Sequence, residues 1–225
     1  MIVVFLNTKG GCGKSTSTVH LCRYLLKRKK QVALIDADSQ QTSIDWVRGF
    51  RAEIPQPECR RATQPKALHT QICDCLNRYD ATVIDSPPGL GRVQRIALLF
   101  ADIVMVPVQP GIPDLRATAK LLEAIRAARR ARQHFEPRPN LPAIGAPDFQ
   151  AFTFLVRTVS NTRLADKARS LLREREDARF LEADIPQRQA IADAMELGAT
   201  AFDINTKAAR QVADAYRRLF ESVGL

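Results

Sequence analysis

Residues 7 to 17 read NTKGGCGKSTS. Glycines at 10, 11 and 13, followed by Lys14, Ser15 and Thr16, make a loop whose backbone can curl closely around an anion. Where a strand precedes such a loop and a helix follows it, the free N–H groups of the helix start point at the anion and the helix dipole adds to the attraction. In that setting Lys14 reaches the β- and γ-phosphates of a nucleotide, and the Ser15 hydroxyl ligates Mg²⁺. Three aspartates stand in later segments that could complete the site: Asp36 and Asp38 in LIDADSQ, and Asp85 in VIDSPPG. Each alone could be a mere strand-end residue. A second lysine, Lys9, opens the same loop, although one ammonium is enough to hold a phosphate tail.

The elements that must position these groups are legible as apolar runs. IVVFLN opens the chain, and QVALIDAD (31–38), ATVIDSPPG (81–89) and ADIVMVPVQP (101–110) repeat the pattern. Runs apolar at every position suggest strands covered on both faces, hence a parallel sheet between helix layers. Helical spacing recurs over 15–29, 90–100, 114–132 and 163–175. FTFLVRTV (152–159) reads as another strand, and ARFLEADIP as a short strand and turn. A final helix sets Ala209, Val212, Ala213, Tyr216, Leu219, Phe220 and Val223 on one stripe. Strand and helix alternate, which predicts an α/β fold: a doubly wound, mostly parallel sheet flanked by helices, forming one domain over 1–225. Residues 51–66 and 134–148 are rich in proline and are expected to be surface loops.

Composition narrows the function classes. No apolar run approaches the roughly 18 to 20 residues that span a bilayer, and the opening strand is too short for a signal peptide, so a cytoplasmic protein is expected. Five cysteines at 12, 22, 59, 73 and 75 fit neither a disulfide framework nor a zinc site; Cys12 fills a variable loop position. Lysine and arginine outnumber acids 34 to 24, a net charge of +10, and the natural partner of that excess is a polyanion.

The loop lacks the glycine that the common phosphate-loop pattern G-x-x-x-x-G-K-[ST] places at position 8, where this chain has Thr8. Its KGGCGKS instead resembles the deviant Walker A loop, K-G-G-x-G-K-[ST], of the ParA/MinD family of ATPases. The resemblance implies a P-loop fold and a job for Lys9: in that family the first lysine crosses a face-to-face dimer to the nucleotide of the other subunit. ATP would then bridge a homodimer. LIDADSQ is similar to the family's switch I, and VIDSPPG to its Walker B and switch II segment. Carried over, Lys9, Lys14 and Asp38 are catalytic, Asp38 orienting the attacking water. Ser15, Asp36 and Asp85 belong to the Mg²⁺ site, and Lys9, Gly10, Gly11, Cys12, Gly13, Lys14, Ser15 and Thr16 form the nucleotide loop. FLVRTV and IPQRQAIADAMELG resemble stretches that border the adenine in small partition ATPases, which puts Arg157 and Pro186 near the base. Within the family the resemblance is to small ParA-type plasmid partition ATPases without an N-terminal helix-turn-helix domain. The C-terminal stripe has too few large apolar residues on its opposite face to enter a bilayer, unlike the membrane-binding branch.

The resemblance further implies ATP hydrolysis stimulated by a centromere-binding, ParB-like adaptor with a basic tail, and a nucleoid-associated location; intrinsic turnover is expected to be slow because the loop motifs hold no identifiable stimulating arginine. The basic residues lack interleaved aromatics for base stacking, so nonspecific phosphate contact with DNA is the expectation. For any single arginine a solvated surface is the default; Arg210, Arg217 and Arg218 of the last helix are the first candidates. The same ATPase could instead position a protein cargo such as conjugation machinery or a microcompartment. A metabolic synthetase on the same scaffold is a third reading, indicated by substrate-dependent turnover without DNA or protein stimulation. A cluster-bearing reductase fails because no cysteine follows Cys75.

Overall fold

The computed structural model describes residues 1–134, 148–159 and 162–225. Seven strands form one sheet in the order β3-β2-β4-β1-β5-β6-β7, every neighbouring pair parallel. They are β1 (Ile2–Phe5), β2 (Val32–Asp36), β3 (Glu58–Arg61), β4 (Ala81–Asp85), β5 (Ile103–Val108), β6 (Gln150–Thr158) and β7 (Arg179–Pro186). Among the described residues eight α-helices separate and follow them: α1 (Lys14–Lys27), α2 (Thr42–Arg48), α3 (Pro65–Cys75), α4 (Arg92–Phe100), α5 (Ile112–Gln133), α6 (Arg163–Arg173), α7 (Gln189–Glu196) and α8 (Lys207–Glu221). A short 3-10 turn spans Ala201–Asp203.

β1 lies centrally, between β4 and β5, and successive side chains of a strand must face opposite ways. Val3 and Phe5 therefore enter one core with α1, α2 and α8, while Ile2, Val4 and Leu6 enter a second core with α3, α4, α5 and α6. This two-sided burial is why the strand has no polar alternation, and each such Phe or Leu contributes about 1.5–3 kcal/mol when withdrawn from water. The α8 stripe is buried as its spacing requires. Thr206 starts that helix by accepting the Ala209 N–H at 3.1 Å.

One expected loop is wrong. Within 51–66 the chain forms β3, and Pro65 opens α3 at its first turn. β3 is an edge strand paired only to β2, and its ECRR sequence leaves Glu58 and Arg61 exposed. A half-solvated edge strand carries none of the apolar signal that marked the inner ones. The proline-rich 134–148 segment falls almost wholly outside the described residues.

Candidate functional site

Parallel strands deliver their C-terminal ends to one edge of the sheet, and there the quoted segments meet. β1 runs into the glycine loop, and α1 begins at Lys14 behind Gly13, whose φ of 85° suits glycine. Gly11 is also left-handed, at φ 69°. A Cβ added at Gly10 or Gly11 would meet nothing within 4 Å, so the loop is an open cradle. Lys14 is nearly buried and its Nζ donates to the Lys9 carbonyl at 2.9 Å. Cys12 is buried and its thiol donates to the same carbonyl at 3.3 Å. Burial raises its pKa, so it behaves as a packed spacer.

Lys9 itself turns to α5. Its Nζ stands 3.4 Å from Asp114 Oδ2, with the lysine side chain 39% exposed. Gln109 Nε2 donates to the Gly11 carbonyl at 2.8 Å, and Asn7 Nδ2 to the Pro107 carbonyl at 2.6 Å. The stretch from the end of β5 to the first turn of α5 is thus fastened to residues 7–11 at three points.

Asp36 and Asp85 are direct register partners on β2 and β4, yet their surroundings differ. Asp36 accepts from Ser43 Oγ at 2.6 Å, from the Ile44 N–H and from the Asp38 N–H, so it fixes the turn carrying Asp38. Asp38 is half-buried and accepts the Gln40 N–H. Asp85 is fully buried, and neither of its oxygens has a hydrogen-bond partner. Burial, reinforced by the neighbouring Asp36, pushes it up to about 7, although the Ser15 hydroxyl and Lys14 pull the other way. A buried, unpartnered carboxylate is costly without a cation. Together with the Ser15 hydroxyl and the open cradle, it is a donor set that fits Mg²⁺ and a phosphate tail: hard oxygen ligands beside backbone N–H groups.

Beyond Gly13 and Thr16 opens a mainly apolar cavity of about 380 Å³. Arg157 and Pro186 both line it, so the two residues assigned to the base by resemblance come together. Arg157 is exposed and holds φ 53° where β6 is bulged against β7, a conformation that non-glycine residues adopt at some cost. Sequence reasoning missed Trp46, Ile191, Met195 and Tyr216 as further walls. Ile191 and Met195 sit four apart in the quoted IPQRQAIADAMELG stretch, the one local signal that could have found them. Trp46 is held by its Nε1 donating to the Ala199 carbonyl at 2.9 Å, a contact no spacing predicts.

Arg210, Arg217 and Arg218 lie exposed on α8, and none of the three lines the base cavity. Arg217 is paired with Asp214 at 2.5 Å; among the described residues Arg210 and Arg218 have no ion-pair partner. Among the described residues no helix is long and apolar enough to cross a membrane.

Known proteins are similar to this chain. Chromosome-partitioning ATPase Soj of Thermus thermophilus is 27% identical, the match covering 98% of this chain and 94% of Soj. Maintenance of carboxysome distribution protein A of Halothiobacillus neapolitanus is 25% identical, over 96% and 93%. The ATP complex of Cyanothece McdA has the same fold, with a TM-score of 0.77, 15% identity and coverage of 100% of this chain and 96% of that one. The profile of the CobQ/CobB/MinD/ParA nucleotide binding domain matches residues 3–201. With its seven-stranded parallel sheet, its deviant glycine loop and its aspartates at one sheet edge, the chain belongs to the ParA/MinD family of P-loop nucleotide-binding proteins.

Proposed function

We propose that this single-domain protein is an ATPase that dimerises around ATP, binds DNA nonspecifically and drives plasmid or chromosome partition with a centromere-binding adaptor. The observation that carries the reading is Asp85, whose unpartnered oxygens lie under an open glycine cradle beside Ser15 and Lys14. Bound Mg·ATP supplies the phosphoanhydride bond and a cation that screens its charge. Lys14 and the N–H groups of residues 10–16 hold the phosphates, while Ser15 and Asp85 hold the metal. Asp36 acts by fixing the turn of Asp38, and Asp38 orients the attacking water. The cavity walled by Arg157 and Pro186 takes the base. Lys9 leaves Asp114 and reaches the nucleotide of a second copy, which makes the triphosphate the link between two chains.

The partition role is supported by the likeness to Soj, and the +10 charge suits a phosphate backbone. Arg210 and Arg218 are the leading DNA contacts; Arg217 must first give up Asp214. A second reading, positioning of a protein cargo, is favoured by the likeness to the carboxysome distribution protein. DNA co-sedimentation with ATP, with ADP and without nucleotide tests the ATP switch that both readings share. Partition predicts ATP-dependent, salt-sensitive binding that Lys9→Ala abolishes; equal sedimentation in all three states would remove the switch.

A further inference from the structure

α5 and α6 both lie on the second core, and a groove of about 370 Å³ runs between them on the outer surface. Its apolar floor reaches solvent: Ile112 is 50% exposed and Leu171 37%, with Leu115 and Ala119 between them on the α5 wall. Large aliphatic side chains left in water in one place mark a contact surface more often than a scattered few do. Arg116, Lys167 and Arg175 also line the groove. Arg126, Arg129, Arg169 and Arg173 on the same two helices are neutralised by Asp177, Asp148, Asp166, Asp184 and Glu182. Among the described residues the three groove cations have no ion-pair partner.

Both walls combine aliphatic and cationic side chains. α6 exposes Leu164, Lys167 and Leu171 along one stripe, and Arg175 lies exposed just beyond its end. α5 answers with Ile112, Leu115 and Arg116. A nucleic-acid backbone uses the cations but gains nothing from the aliphatic floor, whereas a basic segment is repelled by the rim. We infer that the α5–α6 groove docks an acidic amphipathic helix of a partner protein, its aliphatic residues on Ile112, Leu115 and Leu171 and its carboxylates on Arg116, Lys167 and Arg175. This is helix-in-groove recognition with complementary rims.

The groove connects mechanically to the nucleotide loop. Ile112 and Leu115 share the first turn of α5 with Asp114, the partner of Lys9, and the segment leading into that turn is bonded to Gly11 and Asn7. An occupant of the groove therefore presses on the residues that hold Lys9. This coupling rests on the ATP-bridged reading proposed above; the docking surface does not.

The test uses three fluorescein-labelled peptides of about five helical turns. One has Leu at helical spacing flanked by Glu, one carries the same residues scrambled, and one has Lys in place of Glu. Anisotropy is read with the full chain at physiological salt, without nucleotide. The acidic amphipathic peptide is expected to bind saturably, at least about 10-fold tighter than the other two, a difference of about 1.4 kcal/mol. Leu171→Gln and, separately, Lys167→Glu with Arg175→Glu should each weaken it by about 10-fold. Ile112→Gln replaces Leu171→Gln if the latter lowers the melting temperature. Equal binding of the scrambled peptide would show a generic polyanion surface, as for DNA, and overturn the inference. Equal binding of the basic peptide, or no saturation by the acidic one, would overturn it too. ATP turnover of the same variants, measured without peptide, reports on the ATPase reading independently.

Discussion

The two ends of the nucleotide cleft are built in opposite ways. The phosphate end is one unbroken stretch, residues 9 to 16, whose backbone does the holding and whose left-handed glycines are visible in the sequence. The base end is gathered from Thr16, Trp46, Arg157, Pro186, Ile191, Met195 and Tyr216, which lie on elements far apart in the chain and meet only because the sheet and its covering helices bring them together. The contrast teaches where tolerance lies. Contacts from a continuous loop fail together, whereas an apolar cavity with many walls loses affinity in small steps.

The largest expected effect falls on the phosphate end. Lys14→Ala removes a nearly buried cation, and affinity for Mg·ATP should fall by about 100-fold or more in calorimetric titration, the scale of a charge-assisted contact worth roughly 3 kcal/mol. A loss of only a few-fold would erase the distinction between the two ends.

Acid should act on the base end through His20. His20 lies under it, stacked on Tyr216 at 4.4 Å between centroids and edge-on to Trp46. Its Nε2 accepts the Ala201 N–H, which leaves Nδ1 to donate to the Thr16 carbonyl at 2.8 Å. Burial lowers its pKa to about 4. At His20 the folded chain therefore binds fewer protons than the unfolded one between about pH 6.5 and 4. The His20 contribution, present above pH 6.5, should decline across that window by about 3 kcal/mol and then level off, while Asp85, with its folded pKa raised to about 7, contributes in the opposite direction. Denaturant midpoints measured against pH check this, and His20→Gln should lose the His20 part of the slope.

Smaller effects sharpen the comparison. Gly13→Ala forces a side chain into φ 85°, with its Cβ 3.6 Å from Val156; about 1–2 kcal/mol of stability should be lost in urea unfolding. Arg157→Gly works in the other direction. It relieves the left-handed φ of 53° and should raise stability by up to about 1 kcal/mol, while nucleotide affinity drops only a few-fold. If it instead abolished binding, the base end would depend on one residue after all.

What was legible in the sequence follows from what a local pattern can encode. The inner strands announced themselves because two-sided burial demands an apolar residue at every position, as in Ile2 to Phe5. β3 did not, because an edge strand with one solvated side can be written ECRR. α2, α3 and α7 are short, and their placement depends on the helices beside them.

The chain by itself determined the family, the parallel sheet and the phosphate loop, since each is a property of contiguous residues whose backbone conformation follows from their types. Only the tertiary structure decided that Asp85 stands unpartnered while Asp36 is fully bonded, that Lys9 rests on Asp114, and that Trp46 and Pro186 wall one cavity. Those facts concern pairs remote in sequence, and their energies come from burial and from the distance between charges, which exist only once the sheet has closed its two cores.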